Sequence, residues 1–163
     1  MEQHDKAQEH RQMMVGHYRR LALMTILSFI AMYILMYAMV NTLSNVYPSF
    51  NQAYMAGLMT APMVVLELML MGMMYKNRRW NIAIYLGATV LGLLCFLAIR
   101  QQAFVGDKEF ARSMIPHHSG AILMCREADL SDPRLRKLCT TIIAGQQAEI
   151  DQLTAILNEK SGR

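Results

Sequence analysis

The chain has 163 residues, of which 54% are hydrophobic and only 17% charged, with 16 methionines, three cysteines and a formal net charge of +4. A charged fraction this far below the usual quarter argues against a water-soluble domain as the whole of the chain. The positive charge does not describe a nucleic-acid surface either: basic and acidic residues cancel from Asp107 to Arg163, and the basic excess flanks apolar runs.

Residues 1–20 are polar, mixed in charge and read as a mobile or surface helix; His10, Met13, Met14 and His17 share a helical face, open to a soft-metal contact but ordinary for a solvated tail. Three apolar runs follow, Leu21 to Val40, about Tyr54 to Tyr75 and Ile82 to Ile99. Each is close to the roughly 20 residues an α-helix needs to cross a bilayer. The first is too long for a cleavable signal peptide and lacks a small-x-small exit, so it is expected to stay as an anchor. Arg19 and Arg20 precede the first run, and Lys76, Arg78 and Arg79 separate the second from the third, whereas Asn41 to Ala53 carries no charge. The positive-inside rule then places the N-terminus and the Lys76 loop in the cytoplasm. Three crossings put everything after Ile99 outside, against a weak opposing signal from Arg100.

In the first run Met32, Met36 and Met39 form a stripe that reads as packing. The second is unusual, with Met55, Met59, Met63, Glu67 and Met71 at every fourth position. An ionisable residue in a membrane run is a functional candidate by default. Glu67 is open to two readings, a carboxylate on a thioether-lined route for a soft cation or proton, or a protonated group bonded to Tyr33, Tyr37 or a backbone carbonyl. The third run holds Gly87 and Gly92, suited to close helix packing, and Cys95, read as an inert buried thiol. Only Gly106 interrupts the next stretch, so a stalk lined on its inner side by Phe104, Phe110 and Met114 is expected to run to Pro116.

Proline lacks an N–H and disfavours α geometry in the residue before it, so the spacing predicts one helix ending near Ser113 or Met114 and another starting at Pro116. His117 and His118 would then occupy a first turn, where the helix dipole keeps imidazole unprotonated and able to bind a metal. Met124 lies two turns below His117, and Cys125 two turns below His118. A Ser131-Asp132-Pro133 turn with a capping carboxylate leads into a last helix from Pro133 to about Asn158. The short turn makes an antiparallel hairpin, and Cys125 and Cys139 stand equidistant from Asp132 on facing helices. Outside the cytoplasm they read as either a disulfide or a soft-metal thiol pair. Glu149 falls near the height of the His117 turn and reads equally as a carboxylate that orients that imidazole or as a solvated charge.

The block MIPHHSGAILMC, the aspartate and aromatic before it (Asp107, Phe110), the DPRLRKLC segment from Asp132 to Cys139 and the IIAGQQAEI run from Ile142 to Ile150 resemble the bacterial domain of unknown function numbered 305. The resemblance covers roughly residues 107 to 157. It implies a ferritin-like helical domain, usually exported, in a family some of whose members are linked to copper or silver and to metal tolerance. Leu153 stands where many members have Met, and Cys125 and Cys139 where many have Ala.

Thioether, imidazole and thiolate donors together favour Cu(I). The chain has no Glu-x-x-His pair of the di-iron kind, nor a Ser-His-Asp set or phosphate loop, so it reads as a binding protein and not an enzyme. The expected architecture is all-α: a cytoplasmic tail (1–20), three transmembrane helices (21–100) and a small periplasmic ferritin-like hairpin domain (101–163) in a bacterial inner membrane. Its expected metal ligands are Met114, His117, His118, Met124, Cys125 and Cys139; Glu149, Glu67, Met59 and Met63 are supporting or pathway residues. Expected partners are the lipid bilayer, a soft metal ion, a periplasmic metal-handling protein and a second copy of the chain. Two other functional classes fit the same residues, a structural or docking protein and a small oligomeric metal-ion channel using Glu67 and the Met ladder.

Overall fold

The computed structural model describes residues 2–160, with side chains described from residue 15 onward. His10, Met13 and Met14 therefore lie outside the described side chains, and His17 is half-buried. Among the described residues the protein is all-α, with helices α1 (Glu2–Leu35), α2 (Phe50–Leu70), α3 (Arg78–Gln101), α4 (Asp107–Glu127) and α5 (Pro133–Lys160) and no strand. Two compact units result, one from residues up to Tyr33 and Tyr54–Gln101, the other from Ile34–Ala53 and residues from Gln102 onward.

In the first unit, Val15–Met39, Phe50–Leu70 and Arg78–Gln101 are long and apolar enough to cross a membrane. α1 runs unbroken through the polar N-terminal stretch. Small residues lie buried where the helices meet: Ala56, Gly57, Thr60 and Ala61 on α2 and Gly92 on α3. A methyl group on Gly92 would stand 3.0 Å from Ala61 Cβ, and one on Gly57 2.8 Å from Cys95 Sγ, so the helices pack closely at both glycines. The large apolar side chains point outward, Leu23, Leu86 and Leu93 among them.

The second unit is the α4–α5 hairpin with the 34–53 segment packed on it. Cys125 and Cys139 join the helices at one end, and Lys160 Nζ bonds Asp107 Oδ2 at 2.7 Å at the other, which fixes the antiparallel order. Ala111, Ile115, Ile122, Ile150 and Leu157 form the core, with Tyr47, Ile143 and Leu153 against it. Leu135 and Leu138 are exposed beyond the disulfide end of that core. Asp132 caps α5 as the sequence predicts, accepting from the Arg134 N–H at 2.8 Å.

Two expectations are overturned. No stalk joins α3 to α4: the chain turns at Gln102 and Phe104, both at positive φ, and Gly106 starts α4 in extended geometry. Phe104 is exposed and lines nothing. Pro116 does not divide the helix either, because α4 is continuous from Asp107 to Glu127 with Pro116 inside it. An interior proline costs about 3 kcal/mol. Burial of Ala111, Ile115 and Ile122 on both sides of it holds the helix together.

Candidate metal centre

The continuous α4 changes the setting of the histidines. They sit mid-helix, away from any helix terminus, so the dipole argument for keeping them neutral does not apply. Their surroundings differ because neighbours on a helix point about 100° apart. His118 lies three residues after Ile115 and four before Ile122, along the stripe that faces α5, and is buried. His117 is turned out to solvent. The two rings meet edge to face with centroids 5.9 Å apart.

Glu149 on α5 approaches His118 and not His117, correcting the sequence expectation: its Oε2 lies 2.7 Å from His118 Nδ1. Nδ1 is buried and the carboxylate stands off the line of an N–H hydrogen bond, so the contact is one of charge and proximity. No group of the surrounding fold bonds Nε2 among the described residues, and the His118 side chain is 10% exposed. A carboxylate beside one imidazole nitrogen is the arrangement from which an outer support of a histidine metal ligand is built, once the ring N–H and the carboxylate align.

Of the sulfur donors, Met114 is half-buried one turn before His118, and Met124 is exposed two turns beyond His117. Cys125 and Cys139 form a disulfide with α-carbons 5.2 Å apart. As a disulfide they offer no thiolate, which removes them from the ligand set in this state. Facing helices rarely bring α-carbons so close; the hairpin does so next to its turn. Among the described residues no three His, Cys, Asp or Glu side chains converge on one point. The donors that the fold brings together are His118 with Glu149, His117 beside them, and thioethers on the same helix.

Helical spacing and motif do not reveal what seats this turn of α4. Ser119 is wholly buried and donates to Asn41 Oδ1 at 2.5 Å, while the Asn41 N–H donates to Ser119 Oγ at 2.7 Å. Asn45 adds a bond to Asn41 Oδ1 at 2.9 Å, and the Met39 backbone passes beside Gly120. Further along, Glu109 accepts from the Phe50 N–H at 3.1 Å, and Asn51 bonds Gln102 and Ser113. The uncharged 41–53 loop is thus part of the site's scaffold; its many amide and hydroxyl side chains were the available signal.

In the apolar unit Met55, Met59 and Met71 are exposed, whereas Met63 and Glu67 are half-buried. A four-residue repeat drifts by about 40° per step on a 3.6-residue helix, which spreads the ladder over the surface. Glu67 lies near the Tyr75 hydroxyl. Met32 accepts from Thr60 Oγ1 at 3.8 Å, and the rest of its stripe is lost where α1 gives way to a 3-10 turn at Met36–Met39.

Comparison with known proteins agrees with the motif. Residues 97–157 match the model of the family described as "Domain of unknown function (DUF305)". An uncharacterized protein of Acanthamoeba polyphaga mimivirus is 36% identical over 141 residues, covering 85% of this chain and 91% of that protein. The chain belongs to the DUF305 family. The likeness to the viral relative spans more than twice the 61 residues of the family match, so it reaches into the apolar helices as well. No solved structure matches the chain.

Proposed function

We propose that this DUF305 protein is a membrane-anchored binding protein for a soft metal ion, Cu(I) foremost, which it sequesters or passes to a partner protein outside the cytoplasm. The observation that carries the reading is the His118–Glu149 contact, which sets a carboxylate 2.7 Å from one imidazole nitrogen. His117 and the thioethers of Met114 and Met124 supply further soft donors on the same helix. The ion is cargo here, so few donors and partial exposure suit release.

The same reading places the hairpin on the periplasmic side of a bacterial inner membrane. Basic residues at Arg19, Arg20 and the Lys76 loop favour a cytoplasmic N-terminus. The Cys125–Cys139 disulfide suits an oxidising compartment.

The test is competition for Cu(I) between the full chain in detergent and a chromophoric chelator. Wild type is expected to hold copper, His117→Ala/His118→Ala to lose it, and Glu149→Gln to bind about 10- to 100-fold more weakly. Equal, weak binding by all three proteins would sink the soft-metal reading.

A further inference from the structure

The membrane unit carries a feature that metal binding does not use. Arg19, Arg20, Lys76, Arg78 and Arg79 are all exposed, and none of their side chains makes a hydrogen bond or ion pair among the described residues. Glu67 is the one acid among this unit's described side chains, and it is half-buried near Tyr75. Arg78 and Arg79 open α3 with no acidic residue in its first turn, so they oppose the helix dipole and weaken the fold they belong to.

These cations are held on one rigid end. The Tyr18 hydroxyl donates to Asn81 Oδ1 at 2.7 Å, and Asn81 Nδ2 donates to the Tyr75 carbonyl at 2.7 Å. The Tyr18 ring packs on Tyr75 and Trp80, with centroids 5.3 and 6.4 Å away. Trp80, the only tryptophan in the chain, is largely exposed beside the arginines, as an aromatic at the headgroup level would be.

A groove of about 420 Å3 starts at Tyr18 and runs along α1 and α3 over α2, past Thr25, Thr60, Val64 and Gly87 to Leu91. Its lining is almost wholly apolar, because Thr25 and Thr60 turn their hydroxyls to the carbonyls of Leu21 and Ala56. Gly87 keeps it open: a Cβ there meets nothing within 4 Å.

We propose that this end of the membrane unit is a binding site for an anionic phospholipid, with the headgroup phosphate among Arg19, Arg20, Lys76, Arg78 and Arg79 and an acyl chain in the groove. Charge complementarity selects the headgroup, and the groove that begins beneath the cations selects a lipid over a soluble anion. The inference is independent of the metal reading, since it rests on a different unit.

Trp80 reports on it directly. The full chain is reconstituted in vesicles of phosphatidylcholine and phosphatidylglycerol, with bromine on the acyl chains of one lipid or the other at equal mole fraction. Brominated phosphatidylglycerol is expected to be enriched at Trp80 by about fivefold or more, the effect of one well-engaged cation at a membrane surface. The enrichment should shrink with added salt, and disappear in Lys76→Gln/Arg78→Gln/Arg79→Gln. Gly87→Leu places its Cβ in open space and its side chain in the groove, and should reduce the enrichment while circular dichroism shows the helices intact. Equal quenching by both lipids in wild type overturns the proposal. So does enrichment that survives removal of the three charges, or displacement of the lipid by soluble glycerol phosphate. Enrichment unchanged in Gly87→Leu overturns the acyl groove.

Discussion

The two units of this protein bury opposite kinds of residue. In the membrane unit the α2 and α3 contacts are made by Ala56, Gly57, Ala61 and Gly92, while Leu23, Leu86 and Leu93 face outward. In the hairpin unit Ile115, Ile122, Ile150 and Leu157 are inside, and charged residues such as Arg126, Glu127 and Lys137 are outside. Where the surroundings are hydrocarbon, apolar burial drives little and close backbone packing holds helices together. Where they are water, the same Leu and Ile side chains have to go inside.

Truncation should separate the two most sharply. Ile122→Ala removes a wholly buried side chain from the hairpin and is expected to cost about 2–5 kcal/mol, read as lost amide protection in α4 and α5. Leu93→Ala on the outward face of α3 should stay within about 0.5 kcal/mol by the same measurement on α2 and α3. A comparable loss at Leu93 would mean that protein, such as a second copy of the chain, covers that face.

The small water-facing unit also depends on its staple. Reducing the Cys125–Cys139 bond, which closes a loop of 14 residues in sequence separation, should cost the hairpin about 3 kcal/mol in the chain-entropy account and leave α2 and α3 protection unchanged. Gly92→Leu is the matching injury to the membrane unit. Its Cβ would press on Ala61, and the expected cost is about 1–3 kcal/mol, seen as a lower melting temperature in detergent.

A glycine in a water-facing helix behaves in the opposite way. Gly145 in α5 is exposed with nothing near its missing Cβ, so Gly145→Ala should stabilise the hairpin by about 0.5–1 kcal/mol. The smallest effect is electrostatic. The Lys160 hydrogen bond, and then its charge, hold the Asp107 carboxyl below the usual aspartate range. A folded-state pKa below the unfolded one favours the fold above the unfolded value, near 3.9, and that contribution disappears as pH falls through the lower folded value. An NMR titration of Lys160→Gln should find the Asp107 carboxyl back near the ordinary value.

The hairpin was legible where local rules decide. Asp132 and Pro133 start α5 where capping and proline preferences place the start, and equal spacing from that turn brings Cys125 opposite Cys139. Pro116 misled because its local cost is outweighed by burial on both sides, which a local rule does not count. The error carried over to the site: with α4 continuous, His118 faces α5 and takes Glu149, while His117 faces solvent. The bonds of Ser119 to Asn41 join residues 78 apart, and no spacing rule links positions so distant.

Composition and periodicity alone determined that this is an all-α chain with three membrane-length helices and a hairpin carrying two histidines, because hydropathy, caps and turns act over a few residues at a time. The tertiary structure decided which histidine meets a carboxylate, whether two cysteines offer thiolates or a bond, and that the 34–53 segment belongs to the hairpin. Each of these depends on which faces pack together, and that is settled by the sum of burial and hydrogen bonding over the whole unit.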